Sequence, residues 1–81
     1  MKARVFVAMK PTVLDPQGQT ICGALNGMGH KEIAFVRQGK YFEIGITEGI
    51  SHDSAGRILD EIARDVLSNP VIEDFRVEIL D

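Results

Sequence analysis

Lys10-Pro-Thr-Val-Leu-Asp-Pro-Gln-Gly18 is the stretch on which the fold turns, because it lies where a strand pattern gives way to a helix pattern. Pro11 fixes its own φ and pushes Lys10 towards extended geometry. Pro16 suits the first turn of a helix, where a missing N–H has no partner to lose. Asp15, just before it, is placed to cap that helix through its carboxylate. The connection is therefore stiff, charged and displayed. Upstream, Ala3, Val5, Val7 and Met9 alternate with Arg4, Phe6 and Ala8, which is the period of a strand. Downstream, Ile21, Ala24, Leu25 and Met28 recur at helical spacing, and Gly29 is placed to end the helix in a left-handed cap.

Two β-rich runs follow, Ile33 to Val36 and Tyr41 to Ile46, with Gly39 in the tight connection between them. Ser51 reads as the N-cap of a second helix whose buried stripe is Ala55, Ile58, Leu59, Ile62 and Val66. Its other side, with Arg57, Asp60, Glu61, Arg64 and Asp65, is solvated. After Asn69-Pro70, the alternation of Phe75, Val77 and Ile79 marks a last strand. The order is β-α-β-β-α-β. It predicts an α+β fold, a ferredoxin-like variant with two helices on one face of an antiparallel sheet.

The chain has 81 residues, enough for a single domain spanning 1–81. A core this small often gains stability by association. On the sheet face away from the helices the alternation places Arg4, Phe6, Ala8, Val36, Tyr41, Glu43, Arg76, Glu78 and Leu80. Apolar groups mixed with both charge signs suit a protein interface, so self-association through the sheet or its edge is expected, with Phe6, Val36, Tyr41 and Leu80 contributing.

The net charge is −3, with basic and acidic side chains interspersed. No basic stripe exists to neutralise phosphates, which argues against nucleic acid. The aromatics Phe6, Phe35, Tyr41, Phe42 and Phe75 fall mostly at positions that look like core. No apolar run is long enough to cross a bilayer, the strand pattern begins at Lys2 with no room for a signal peptide, and a single cysteine, Cys22, fits a reducing cytoplasm.

Catalytic chemistry is sparse. His30 and His52 lie in different segments without metal-ligand spacing. Cys22 sits beside the apolar helix stripe and reads as a packed hydrophobe. The acidic pairs Asp60-Glu61 and Glu73-Asp74 are sequence neighbours, which do not face each other on a helix. Gly27-x-Gly29 ends a helix instead of opening one, so it is no dinucleotide fingerprint. Nothing assembles a nucleophile, a base and an orienting group. What remains is three polar clusters: Lys10 with Asp15 and Gln17; Arg37, Gln38 and Lys40; and Glu73-Asp74. The Arg37–Lys40 cluster could contact a partner or be merely solvated.

Lys10-Pro-x-Val-Leu-Asp-Pro-Gln-Gly18, Val36-Arg-Gln-Gly-Lys-Tyr41 and Asn69-Pro-Val-Ile-Glu-Asp-Phe75, in this order and spacing, resemble the PurS family, the small subunit of phosphoribosylformylglycinamidine synthase. The resemblance spans essentially the whole chain. It implies a non-catalytic part in purine biosynthesis, with no cofactor bound by this chain. A synthetase subunit would bind ATP, magnesium and nucleotide, and a glutaminase subunit would release ammonia with its own Cys-His-Glu machinery. The small subunit would form dimers or dimers of dimers and bridge the other two, supporting ammonia transfer. Lys10, Asp15, Gln17, Arg37, Gln38 and Lys40 are the expected partner contacts. The alternatives are a ferredoxin-like regulatory module that binds a small molecule, and a small enzyme that would need His30 or His52 as its acid or base.

Overall fold

A computed structural model describes residues 1–80. Three strands, β1 (Lys2–Met9), β2 (Gly39–Gly45) and β3 (Glu73–Leu80), form an antiparallel sheet in the order β2-β1-β3. β1 is the central strand, with Val5 opposite Phe42 on one side and Val77 on the other. Two helices, α1 (Pro16–Gly27) and α2 (His52–Ile62), complete the α+β fold. No helix among the described residues is long and apolar enough to cross a membrane.

The period-two pattern of β1 sends Ala3, Val5 and Val7 to one face, where all three are fully buried. α2 lies over that face and closes it with Ala55 and Leu59. The Ser51 hydroxyl caps α2 by accepting the Ser54 N–H at 3.1 Å. Of the expected stripe of α2, Ala55 and Leu59 are buried and Ile62 is half-buried, but Ile58 is 46% exposed, and beyond Ile62 the register changes. Ala63–Leu67 is a π-helical turn, in which Ser68 N–H donates to the Ala63 carbonyl at 3.0 Å and the Ser68 hydroxyl to the same oxygen at 2.7 Å. The wider turn rotates Ala63 and Leu67 onto the core and leaves Val66, expected inside, 74% exposed.

Three local expectations at the other end of the chain are met. Asp15 caps α1, Pro16 occupies the first helical position, and Gly29 follows with a φ of 103°. Two others are not. Ile33–Val36 has no strand pairing, so no hairpin joins it to β2. Gly39 accordingly does not have positive φ; a side chain is excluded there because a Cβ would lie 2.5 Å from the Val7 carbonyl oxygen. And α1 has no packed interface with the sheet or with α2. Its apolar face stays open, with Ile21 and Met28 exposed. The sheet's helical layer is thus half filled within one chain: over β2, Phe42 and Ile44 are only half-buried.

Candidate partner-binding site

The three polar clusters, distant in sequence, meet at one end of the sheet. The Lys10–Asp15 connection leaves β1 there, Arg37 and Gln38 enter β2 beside it, and Glu73-Asp74 begins β3. The Lys10 N–H donates to the Ile72 carbonyl at 2.8 Å, which ties the connection to the turn before β3. That turn is built on Asn69. Its carbonyl accepts from Ile72 and Glu73, its side-chain oxygen accepts the Val71 N–H, and its own N–H donates to the Glu73 carboxylate at 2.7 Å.

Pro11 and Pro16 carry no N–H, so carbonyls outnumber donors in this connection. Arg37 supplies what is missing. One guanidinium nitrogen, Nη2, lies 2.9 Å from the Lys10 carbonyl, 3.0 Å from that of Val13 and 3.3 Å from that of Met9. Asp15 works in the opposite direction, as an acceptor for two segments. One carboxylate oxygen takes the Gly18 N–H at 3.0 Å, and the other takes the Gln38 N–H at 2.7 Å. Gln38 Nε2 also donates to Gln17 Oε1. The Gln38 and Gly18 amides, with help from the nearby Arg37 charge, hold the Asp15 carboxyl below the ordinary aspartate range against the opposing effect of burial. The backbone passes close here: a Cβ on Gly18 would stand 2.2 Å from the Val36 carbonyl oxygen.

Lys10, Asp15, Gln17, Arg37 and Gln38 are therefore one interlocked cluster. Lys10 and Lys40 add ion pairs to β3, Lys10 Nζ to Asp74 and Lys40 Nζ to Glu73, both at 3.8 Å. The two lysines keep much of their side chains in water, whereas Nη2 of Arg37 is committed to the backbone. No local pattern in the sequence signals this clamp role for Arg37, although two prolines in one short connection are the feature that creates the need for it.

The open sheet face carries Phe6 stacked on Tyr41, with ring centroids 5.7 Å apart, and Arg76 over the Phe6 ring at 4.3 Å. These residues, with Lys40 and Asp74, border a shallow groove of about 560 Å³. Leu80 lies at the far end of β3, opposite Lys2, and Val36 lies off the sheet, against Gly18. Tyr41, expected on the open face, is 53% exposed, whereas Phe35, an aromatic with a core-like sequence pattern, is 74% exposed. Sequence reasoning missed Phe35 as a surface residue because its local pattern is that of a strand. His30 is exposed, 3.6 Å from Glu32, and His52 opens α2 in solvent. Among the described residues, no three His, Cys, Asp or Glu side chains gather as a metal site.

The chain as a whole has counterparts among known proteins. Residues 2–81 match the family PurS, described as phosphoribosylformylglycinamidine (FGAM) synthase. The chain is 43% identical over 76 residues to the phosphoribosylformylglycinamidine synthase subunit PurS of Mycobacterium leprae, covering 94% of this chain and 91% of that one. A crystal structure of Bacillus subtilis PurS matches with a TM-score of 0.86 at 39% identity, over 99% of this chain and 98% of that one. A chain in the structure of PurLQS from Thermotoga maritima matches with a TM-score of 0.77 at 25% identity, over 98% of this chain and 95% of that one. Agreement in sequence and in backbone, from the first strand to the last, makes this chain a member of the PurS family.

Proposed function

We propose that this chain is the small structural subunit of an FGAM synthase, the ATP- and glutamine-dependent C–N ligase of purine biosynthesis, acting in the cytoplasm. It associates with itself as a dimer or dimer of dimers, and it bridges a synthetase and a glutaminase subunit so that ammonia passes from one to the other. ATP and magnesium belong to the synthetase subunit. The observation that carries this reading is full-length membership of the PurS family, supported by the match to a chain of the Thermotoga maritima PurLQS structure. The interlocked end of the sheet is the surface we assign to the larger subunits, with Lys10, Asp15, Gln17, Arg37, Gln38 and Lys40. We assign the open sheet face around Phe6, Tyr41 and Leu80, together with Val36, to contacts between copies.

Reconstitution tests it. The purified chain is titrated into the two larger subunits from the same source, and FGAM formation is followed with glutamine and, separately, with ammonium. Glutamine-dependent synthesis should require this chain, ammonium-dependent synthesis should depend on it less, and the chain alone should turn over neither glutamine nor ATP. Full glutamine-dependent activity without it would overturn the proposal.

A further inference from the structure

The turn between the π-helical segment and β3 carries an apolar side chain that the fold does not use. Asn69 and Pro70 build this turn. The Asn69 carbonyl accepts the Ile72 N–H at 3.1 Å and the Glu73 N–H at 2.7 Å, and the Asn69 side-chain oxygen accepts the Val71 N–H at 3.1 Å. Pro70 fixes its own φ. Position 71 thus gives the turn an N–H and nothing more, and such positions are ordinarily filled by Gly, Asn, Asp or Ser. Val71 stands there instead, 78% exposed, more than any other large apolar side chain among the described residues. A β-branched side chain held in water on an ordered turn breaks a local rule with no gain to folding, which is the mark of a functional position. Because the backbone is already ordered, little further entropy is lost when a partner covers it.

The charges beside the turn are arranged with a cation outermost. One oxygen of the Glu73 carboxylate accepts the Asn69 N–H at 2.7 Å, and the other lies 3.8 Å from Lys40 Nζ. The Glu73 side chain is only 14% exposed, whereas that of Lys40 is half in water, so this pair meets its surroundings as an ammonium group. Lys40 is opposite Val7 and Glu73 is opposite Met9, which places the pair at the Met9 end of the face that buries Val5 and Val7. Lys10 brings a second cation to the same end, and its own N–H is bonded to the Ile72 carbonyl of the turn.

We propose that the Asn69–Ile72 turn is a recognition tip, with Val71 seated in an apolar socket on one of the larger subunits and Lys40 meeting a carboxylate on the rim of that socket. Charge complementarity sets the rim: the outermost group on this side is an ammonium whose internal partner lies beneath it. Glu73 is the positioning residue, since one oxygen steadies the turn and the other holds Lys40 beside it. The proposal rests on the partner-binding reading given above and extends that surface to a turn it did not include.

The test titrates parent and variant chains into the two larger subunits at two salt concentrations and reads the apparent Kd of assembly. Val71→Ser should weaken assembly roughly tenfold, and Val71→Thr, which keeps the shape but adds a hydroxyl, should weaken it less. Both effects should be the same at either salt concentration, whereas Lys40→Ala should weaken assembly mainly at low salt. Glu73→Gln keeps an acceptor for the Asn69 N–H and removes the charge that competes for Lys40, so it should assemble at least as tightly as the parent. Glu73→Ala, which frees the turn, should assemble more weakly. Thermal unfolding of the Val71 variants should match the parent, because the side chain is exposed in the free chain. Parent-like assembly of both Val71 variants, or a Glu73→Gln chain as weak as Glu73→Ala, would overturn the recognition tip, and weakened assembly of Lys40→Ala would then leave the partner-binding reading standing. Altered sedimentation of Val71→Ser by itself would seat the turn against a second copy and overturn the proposal. A parent chain that does not assemble with the larger subunits would overturn both.

Discussion

Gly18→Ala and Gly23→Ala are the same chemical change in the same helix, and the structure assigns them opposite signs. In a helix interior, Ala is favoured over Gly by about 1 kcal/mol. At Gly23 nothing lies within 4 Å of the added Cβ, so that gain is realised. At Gly18 the Cβ would stand 2.2 Å from the Val36 carbonyl oxygen and 2.9 Å from Asp15 Oδ2. Ordinary contact begins at 3.4 Å, so the Val36 backbone must retreat by more than 1 Å. That motion pulls on the adjacent Gln38 N–H, which sits 2.7 Å from Asp15. Overpacking costs about 1–3 kcal/mol, with the upper end apt where backbone must move, and the propensity gain offsets about 1 kcal/mol of it. The net expectation is a loss of about 2 kcal/mol for Gly18→Ala, or roughly 10 °C in Tm for a domain of this size, against a rise of about 4 °C for Gly23→Ala. Thermal unfolding followed by circular dichroism reads both, at one fixed protein concentration because association shifts Tm. A Gly18→Ala protein as stable as the parent would refute the close approach of Val36 to α1.

Arg37→Ala removes the donor shared by three exposed carbonyls, and solvent competes for them, so the expected loss is about 1–2 kcal/mol in urea unfolding; an unchanged midpoint would show that the clamp contributes nothing. The pKa of Asp15 is lowered by folding, so its contribution is fully present above the unfolded value near pH 4 and is lost as pH falls through the folded value. On acidification from pH 7 the parent should therefore lose more stability than Asp15→Asn, and parallel pH curves would contradict this. Lys40→Ala breaks an ion pair whose lysine is half in water and whose largely buried Glu73 carboxylate keeps the Asn69 N–H as a partner, so the expected loss is about 1 kcal/mol and folding should persist while glutamine-dependent synthesis in the reconstituted complex falls. Wild-type rates with glutamine would remove Lys40 from the partner surface.

The strands and helices were legible wherever one local rule sufficed. Asp15 before Pro16, Ser51 before α2 and the alternation in β1 each announce their structure with no help from distant residues. The errors fall where distant groups decide. Val66 has the spacing of a buried residue, but the widened turn at Ala63–Leu67, drawn shut by Ser68, hands its place to Leu67. Ile33–Val36 has the composition of a strand, but composition supplies no pairing partner, and the segment lies instead against α1 through Asn26 and Gly18. Arg37 reads as a displayed cation beside a turn; only the folded chain brings it to the carbonyls of a connection that began 27 residues earlier at Lys10.

This last point changes how the family motifs should be read. The Lys10–Gly18 and Val36–Tyr41 stretches carry the resemblance to PurS, and a partner surface is one reason for a family to share them. The hydrogen bonds supply another reason, because Asp15, Gly18, Arg37 and Gln38 are consumed in holding the two stretches together. The residues left over within the same stretches, Lys10 and Lys40, are tethered only by 3.8 Å ion pairs at the surface. A surface pair of this kind is easily exchanged for a partner's carboxylate, whereas the Arg37 side chain is anchored through Nη2 to three backbone carbonyls and can offer a partner only its Nε and Nη1 donors from that fixed position. Loss of assembly in Arg37→Ala would therefore be accompanied by loss of stability, and loss of assembly in Lys40→Ala would not. Measuring both properties in both variants separates the clamp that shapes the surface from the charges that a partner touches.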